Sequence, residues 1–350
     1  MINQIIGILF SFIITLIGLP FVIRIAESIG LFVPKDYRRI HTSEVSALGG
    51  LVIFISASIS FILFSDIINF PDYRFIISSG VLMFFLGFYD DLNEVKPETK
   101  LLGQIVAVSL LVVFANVRIE FLQHFFGPNV GLWADTILTI ILMITIINAY
   151  NFIDGIDMLA ALLGLIIMGV LGVWFFMANQ YDYSLALLTL SSSLLAFMAF
   201  NYSPARIFMG DTGTMTIGLI MAVTLIKFDS INDIIDGSIR VHSAPGIAYA
   251  FISLITIDLI RVSFKRIIKG DYPFIADKNH IHHLFLRMGV SQNKTSIIIS
   301  SVVFIQIFMS FYLDRFLFSN LIIIIINTMY LLTFYMLVFI NLRAYSKAKL

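Results

Sequence analysis

Apolar residues are gathered into eleven runs separated by short polar breaks: Ile5–Ile23, Leu48–Phe64, Phe75–Phe88, Leu101–Val117, Trp133–Ile147, Met158–Met177, Leu185–Phe200, Met215–Ile226, Ile247–Ile260, Ile297–Tyr312 and Leu321–Ile340. Each approaches the roughly 20 residues a helix needs to cross about 30 Å of hydrocarbon, so each is predicted to be a membrane helix. The runs at Phe75 and Met215 are expected to extend into the polar motifs beside them. The first run has no basic stretch ahead of it and further spans behind it, so it is read as a helix and not as a cleaved signal. No repeat of fixed period and no Pro- or Ser-rich linker divides the chain. The prediction is an all-α polytopic integral membrane protein of about eleven transmembrane helices, residues 1–350 forming a single domain.

Composition sharpens this picture. Hydrophobic residues make up 59% of the chain and charged residues 13%, against roughly 45–50% and about 25% in soluble domains. Zero net charge gives no basic field for nucleic acid, so none is expected as a partner. The absence of cysteine excludes disulfides and thiolate metal sites, leaving His and carboxylate as strong ligands. Lys and Arg set the orientation, because cytoplasmic loops carry their excess. With the N-terminus outside and the C-terminus cytoplasmic, 17 of the 22 basic residues fall on inner segments and 5 on outer ones. Trp133 and Trp174 then lie near outer helix ends, where an interfacial aromatic belt is expected.

Four polar constellations fall on the inner side of this map: FYDDLNEVKPETK (88–100), NAYNFIDGID (148–157), FMGDTGT (208–214) and DKNHIHHLF (277–285). In the second, amides and acids recur in steps of three. Asn148 and Asn151 share a helix face, as do Asn151 and Asp154, whereas Asn148 and Asp157 are opposed. Gly155 is expected to break the helix there, leaving Asp157 to cap the next one. Asp90 and Asp91, adjacent on a helix, point about 100° apart, so one faces a site while the other holds a neighbouring group. Their charge at a helix C-terminus calls for a cation. Asp211, between Gly210 and Gly213 ahead of an apolar helix, suits a phosphate with its cation, though a plain turn capped by Asp fits the tetrad equally. His280, His282 and His283 are open to three readings: zinc with Asp277, a phosphate clamp, or an interfacial cluster. The spacing of His280 and His282 reads as strand or loop, not helix. Lys35, Arg38, Arg39, His41 and Lys100 add positive charge on the same side, partly as the positive-inside rule demands. Asp258, near the inner end of the ninth run with Arg261 three residues on, reads as a structural or positioning ion pair.

Carboxylates without cysteine favour a hard ion, Mg²⁺ above all with Mn²⁺ as a substitute, held by one or two carboxylates and substrate phosphates. Imidazole, Lys and Arg suit phosphate oxygens. A cytoplasmic face offers nucleotides and the bilayer offers a lipid acceptor, so the residues point to phosphoryl-type transfer between the two. A cation-coupled transporter using the inner-face carboxylates is the rival, although transporters place such groups near the midplane and carry inverted repeats. A membrane zinc hydrolase is the third.

Five motifs in order, RRIH with LGG (38–50), GFYDDLNEVKPETKLLGQ (87–104), NAYNFIDGIDMLA, FMGDTGT and PFIADKNHIHHLFLRMG (273–289), resemble the polyprenyl-phosphate N-acetylhexosamine-1-phosphate transferases. That family starts O-antigen, enterobacterial common antigen and wall teichoic acid assembly. Its more distant branch is the peptidoglycan translocase, and HIHH is closer to the GlcNAc-type enzymes. The resemblance implies transfer of HexNAc-1-phosphate, GlcNAc-1-phosphate by default, from a UDP-sugar to undecaprenyl phosphate with release of UMP. It implies Mg²⁺ and an active site on the cytoplasmic face of a bacterial inner membrane, and it leaves a homodimer open. Carried over by motif, Asp211 is the principal metal ligand, with Asp90 and Asp91 near the metal and the lipid phosphate. Asn148, Asn151, Asp154 and Asp157 line the nucleotide pocket. His280, His282 and His283 bind the donor diphosphate, and Lys100, Arg38, Arg39 and His41 meet the lipid phosphate. Two departures stand out: Val33-Pro34-Lys35 replaces the usual Asp-X-Pro, and Met158 occupies a position usually held by glycine.

Overall fold

The computed structural model describes residues 2–31, 45–65, 73–93, 95–120, 123–270, 279–316 and 319–348. Lys35, Arg38, Arg39, His41 and Asp277 lie outside the described residues. Twelve helices occupy the described chain: α1 Ile2–Ile29, α2 Gly49–Phe64, α3 Tyr73–Asn93, α4 Pro97–Phe114, α5 Gln123–Ile153, α6 Leu159–Met177, α7 Tyr181–Asn201, α8 Gly210–Ile234, α9 Ala244–Lys269, α10 Ile281–Arg287, α11 Gln292–Asp314 and α12 Asn320–Ala348. Eleven match the predicted apolar runs. Ten of these are long and apolar enough to cross a membrane, and α2, with 16 residues, is the shorter one. As expected, α3 continues through Asp90 and Asp91, and α8 begins at Gly210. The twelfth, seven-residue α10, corrects the strand-or-loop reading of the His motif for His282 and His283, while His280 stands extended ahead of it as N-cap. Its first turn is held by a carboxylate from α9, a partner the spacing does not reveal.

α8 is the most enclosed span and packs against α2, α3, α5, α6 and α9. Lipid is as apolar as leucine, so helices associate in a bilayer by close backbone packing. Glycines supply that closeness. A Cβ on Gly50 of α2 would lie 2.2 Å from the Gly213 nitrogen, and one on Gly87 of α3 would lie 2.5 Å from the Asp211 carbonyl oxygen. Ahead of α2 and α8 the chain runs in parallel: Phe208 N donates to Ser46 O at 2.8 Å, Gly49 N to Phe208 O at 2.9 Å and Gly50 N to Met209 O at 2.8 Å. Alternating helix directions bring the C-terminal ends of α3, α5 and α9 and the N-terminal ends of α4 and α8 to one end of the bundle, where α10 also sits.

The aromatic belt is half corrected. Trp133 is exposed, but Trp174 is buried, its ring 4.4 Å from that of Phe228. α6 backs onto α8 at this height, so Trp174 meets protein and not lipid.

Gly87→Val is predicted to cost about 1–3 kcal/mol or more by forcing α3 away from α8, read as a lower thermal midpoint in detergent. Gly80→Ala, whose new Cβ meets its nearest atom at 4.0 Å, is predicted to leave that midpoint unchanged.

Candidate active site

Asp211 sits in the first turn of α8. Gly210, just before it, has a φ of 70°, and a Cβ there would lie 2.3 Å from Ala47 O and 2.6 Å from an Asp91 oxygen. Only glycine meets both conditions. The backbone N–H groups of a helix's first turn have no intrahelical partner. Asp91 supplies one from α3: Oδ1 accepts from Asp211 N at 2.8 Å, and Oδ2 accepts from Thr212 N at 2.9 Å and Thr212 Oγ1 at 2.6 Å. Its negative charge also lies where the α8 dipole is positive. As expected of adjacent acids, Asp90 points elsewhere. Its Oδ2 accepts from Lys100 Nζ at 2.9 Å, and the same ammonium is bonded to Asp211 Oδ2. Lys100 thus supplies the cation that the end of α3 calls for.

Asn151, on the last turn of α5, donates through Nδ2 to Asp211 Oδ1 at 2.6 Å and to Thr214 Oγ1 at 2.7 Å. Asp90, Asp91, Lys100, Asn151 and Asp211 therefore form one bonded network drawn from four helices. Asp211 remains 29% exposed at its side chain, against 10% for Asp90 and 17% for Lys100. Asn148 stands outside this network. It exchanges hydrogen bonds with Gln104 of α4, its Nδ2 donating at 2.8 Å, and so fastens α5 to α4.

α5 ends at Ile153 beside Gly155, as predicted. The glycine has a second reason to be there: a Cβ would lie 2.2 Å from His282 Nε2. Asp154 is half-buried in the turn. Asp157 does not cap α6; Met158 holds the N-cap position, in the left-handed region at φ 66°. This conformation is a physical reason for glycine at that position, and Met158 N is anchored by Asn201 Oδ1 at 2.8 Å. The buried Asp157 carboxylate instead accepts from Ala205 N at 3.2 Å, and its carbonyl accepts from Ser296 Oγ at 2.7 Å, tying the loop before α8 and the start of α11 to the turn.

Across the end of α5 lies the imidazole cluster. His280 precedes α10, its ring stacked on Phe152 at 5.7 Å and on His282 at 5.8 Å. His283 lies against His282, with ring centroids 4.2 Å apart. Asp258 bonds Arg261 at 2.8 Å, the pair read from spacing, and also holds His280. Nε2 of His280 and both ring nitrogens of His282 are buried without a hydrogen-bond partner among the described residues. Burial and the neighbouring imidazoles push His282 well below the usual histidine pKa. Arg266, buried on α9, lies with its guanidinium 5.9 Å from the Phe152 ring centroid.

Sequence reasoning missed Gln104, Phe152, Thr212, Thr214, Arg266 and Tyr335 as site-shaping residues. Gln104 carries a signal, a lone amide inside an apolar run. Tyr335, deep in α12, carries none.

The chain is similar to several known proteins. A family model described as glycosyl transferase family 4 matches residues 73–229. An undecaprenyl-phosphate alpha-N-acetylglucosaminyl 1-phosphate transferase of Yersinia pestis is 23% identical, covering 79% of this chain and 75% of that protein. A probable undecaprenyl-phosphate N-acetylglucosaminyl 1-phosphate transferase of Bacillus subtilis is 27% identical over 87% and 83%. A phospho-N-acetylmuramoyl-pentapeptide-transferase of Thermotoga neapolitana is 30% identical over 62% and 74%.

Asp91→Ala is predicted to cost about 1–2 kcal/mol through loss of the α8 cap, measured by denaturation in detergent. A histidine that resists protonation when folded opposes folding at acid pH: the penalty is absent well above about pH 6.5 and grows as pH falls below it. The thermal midpoint is therefore predicted to drop between pH 7.5 and 5.5, and to drop less in His282→Gln.

Proposed function

The chain belongs to glycosyl transferase family 4, and from that premise we propose that it transfers N-acetylhexosamine-1-phosphate, GlcNAc-1-phosphate by default, from a UDP-sugar to undecaprenyl phosphate with release of UMP. At the coarser level it is a phosphosugar transferase acting on a polyprenyl phosphate in a bacterial membrane. The proposed role is the first step in assembling a cell-surface polysaccharide. The positive-inside bias of 17 to 5 supports a cytoplasmic face for the site.

One observation carries the proposal: the Asp211 carboxylate, held by Asn151 and Lys100 beside Asp90, is presented at a partly open helix N-terminus. Two carboxylates, Asp90 and Asp211, share one ammonium there with Asp91 adjoining, an excess of negative charge that fits a divalent cation. Both oxygens of Asp91 are engaged by α8 and those of Asp90 by Val95 N and Lys100, so the ion would fall first to the more exposed Asp211, with Asp90 beside it. Among the described residues no three His, Asp or Glu side chains converge as ligands of one ion. Mg²⁺ or Mn²⁺ takes one or two carboxylates and completes its shell with water and substrate phosphates. Bound there, the ion would supply charge neutralisation to the two phosphate groups.

The chain's own residues do the rest. A phosphate monoester has a second pKa near 6, so the lipid phosphate is mostly dianionic at pH 7 and attacks without a strong base. Its oxygen forms a bond to the β-phosphorus of the donor, the bond from that phosphorus to the bridging oxygen breaks, and UMP departs with the electron pair. Asp90 positions the acceptor, and Lys100 offers its ammonium to the lipid phosphate, joined in this proposal by Arg38, Arg39 and His41. Asn151, Asp154, His280, His282 and His283 are assigned to the nucleotide-sugar, and Arg266 adds a cation beside them. Asn148 and Asp157 serve it by fixing α5 and the turn after it. The rival transporter reading is disfavoured because the acids cluster at helix ends, not at the midplane.

Purified protein given a panel of UDP-HexNAc donors, undecaprenyl phosphate and Mg²⁺ is expected to release UMP. Asp211→Asn is expected to lose at least about 100-fold in rate with its thermal midpoint retained. Failure of every donor would sink the proposal. A phospho-aspartate route would show itself as ping-pong kinetics.

A further inference from the structure

Asp258 lies within α9 and is 1% exposed, a carboxylate in a place where an unsatisfied charge is costly. Four groups from three helices satisfy it. Arg261 donates to Oδ1 at 2.8 Å, the Tyr335 hydroxyl of α12 to Oδ1 at 2.9 Å and Ile281 N to Oδ1 at 3.1 Å, while His280 Nδ1 lies 2.7 Å from Oδ2. Arg261 also donates to Asn279 O at 2.6 Å, so the residue before His280 is held as well.

This arrangement leaves His280 little freedom. Its ring lies nearly parallel to two neighbours, Phe152 with planes 16° apart and His282 with planes 3° apart. With Arg261, Tyr335 and the Ile281 N–H all donating to it, the Asp258 carboxylate acts as an acceptor on every side, so the proton shared with His280 belongs to Nδ1. The free edge is Nε2, buried and without a hydrogen-bond partner among the described residues. A phosphate oxygen brought there has no proton to give. Contact then requires a second proton on the ring, giving an imidazolium between two anions.

We propose that Asp258 is a positioning residue for the donor: it pins the His280 proton to Nδ1 and supports the ring as a cation, so that Nε2–H donates to a phosphate oxygen of the nucleotide-sugar diphosphate. The inference rests on the donor-site assignment made above and adds to it the buried acid that makes His280 a donor. Other charged or titratable groups around His280 are Arg261 from α9 and Tyr335 from α12 through Asp258, Arg266 from α9 against the Phe152 ring, His282 on α10, and His283 behind His282. Of these, His282 is pushed well below the usual histidine pKa by burial and the neighbouring imidazoles.

The test is the KM for the UDP-sugar in wild type and Asp258→Asn, at pH 6 and pH 8, with undecaprenyl phosphate saturating and UMP release as readout. Asparagine keeps the shape but not the charge, so in the variant no carboxylate offsets the second ring proton that contact with a phosphate oxygen requires, and taking that proton up from solvent is harder at pH 8 than at pH 6. The ratio of variant to wild-type KM is expected to rise from about threefold at pH 6 to more than about tenfold at pH 8, since a charged donor makes a bond roughly twice as strong as a neutral one. A ratio that is equal at the two pH values, or close to one at both, overturns the proposal, because a merely structural acid would give no pH dependence. Should Asp258→Asn fail to fold, His280→Gln carries the test: the donor KM is expected to rise about tenfold with the KM for undecaprenyl phosphate within about twofold. Equal effects on both substrates, or an effect on kcat alone, overturn it. Absence of UMP release by wild type removes the donor-site assignment itself, and this inference with it.

Discussion

The polar end of the molecule depends on Asp91 occupying the first turn of α8. A helix that begins at the edge of hydrocarbon exposes N–H groups that neither lipid nor its own backbone can satisfy. One carboxylate from α3 meets two of them, along with the Thr212 hydroxyl. The contact fixes the register of α3 against α8, which Gly87 makes close enough to form. Once that register is set, Asp90 must turn toward Lys100, and Asp211 must turn toward Lys100 and Asn151. The site's geometry follows from a cap.

Two kinds of buried acid result. Asp91 and Asp258 are satisfied by donors of the chain itself: backbone and threonine for one, Arg261, Tyr335, His280 and the α10 backbone for the other. Asp211 keeps an exposed side, and its partners are an amine and an amide on other helices. The first kind fixes structure, and the second offers charge to whatever arrives. The end of α5 separates the carboxylate network from the imidazole cluster by a few residues: Asn151 serves one, while Phe152 and Gly155 shape the other.

Much of this was legible in the sequence. Apolar runs give helices reliably because hydrocarbon permits no other way to satisfy the backbone within a single segment, and eleven runs became eleven helices. The division of roles between Asp90 and Asp91 followed from the 100° step, and the end of α5 followed from Gly155. Tertiary partners were not legible. Nothing near His280 announces Tyr335, and nothing in NAYNFIDGID shows Asn148 turned to Gln104 or Asp157 turned to Ala205. The α10 helix escaped notice because its N-terminal N–H is held by a residue 23 positions earlier. Trp174 escaped because a helix end does not say which flank faces protein.

Asp91 and the backbone it holds are 120 residues apart. α3 leaves the ribosome well before α8 is made, so during that interval its terminal acids stand beside the bilayer with their eventual donors still unsynthesised. Asp91 can wait only if water reaches it, which confines it to the membrane surface until four more apolar segments, α4 to α7, have been made and α8 has begun. The carboxylate network is thus closed only after long delay across the chain, and its location at the rim, where nascent carboxylates stay hydrated, is a condition of biogenesis as much as of chemistry.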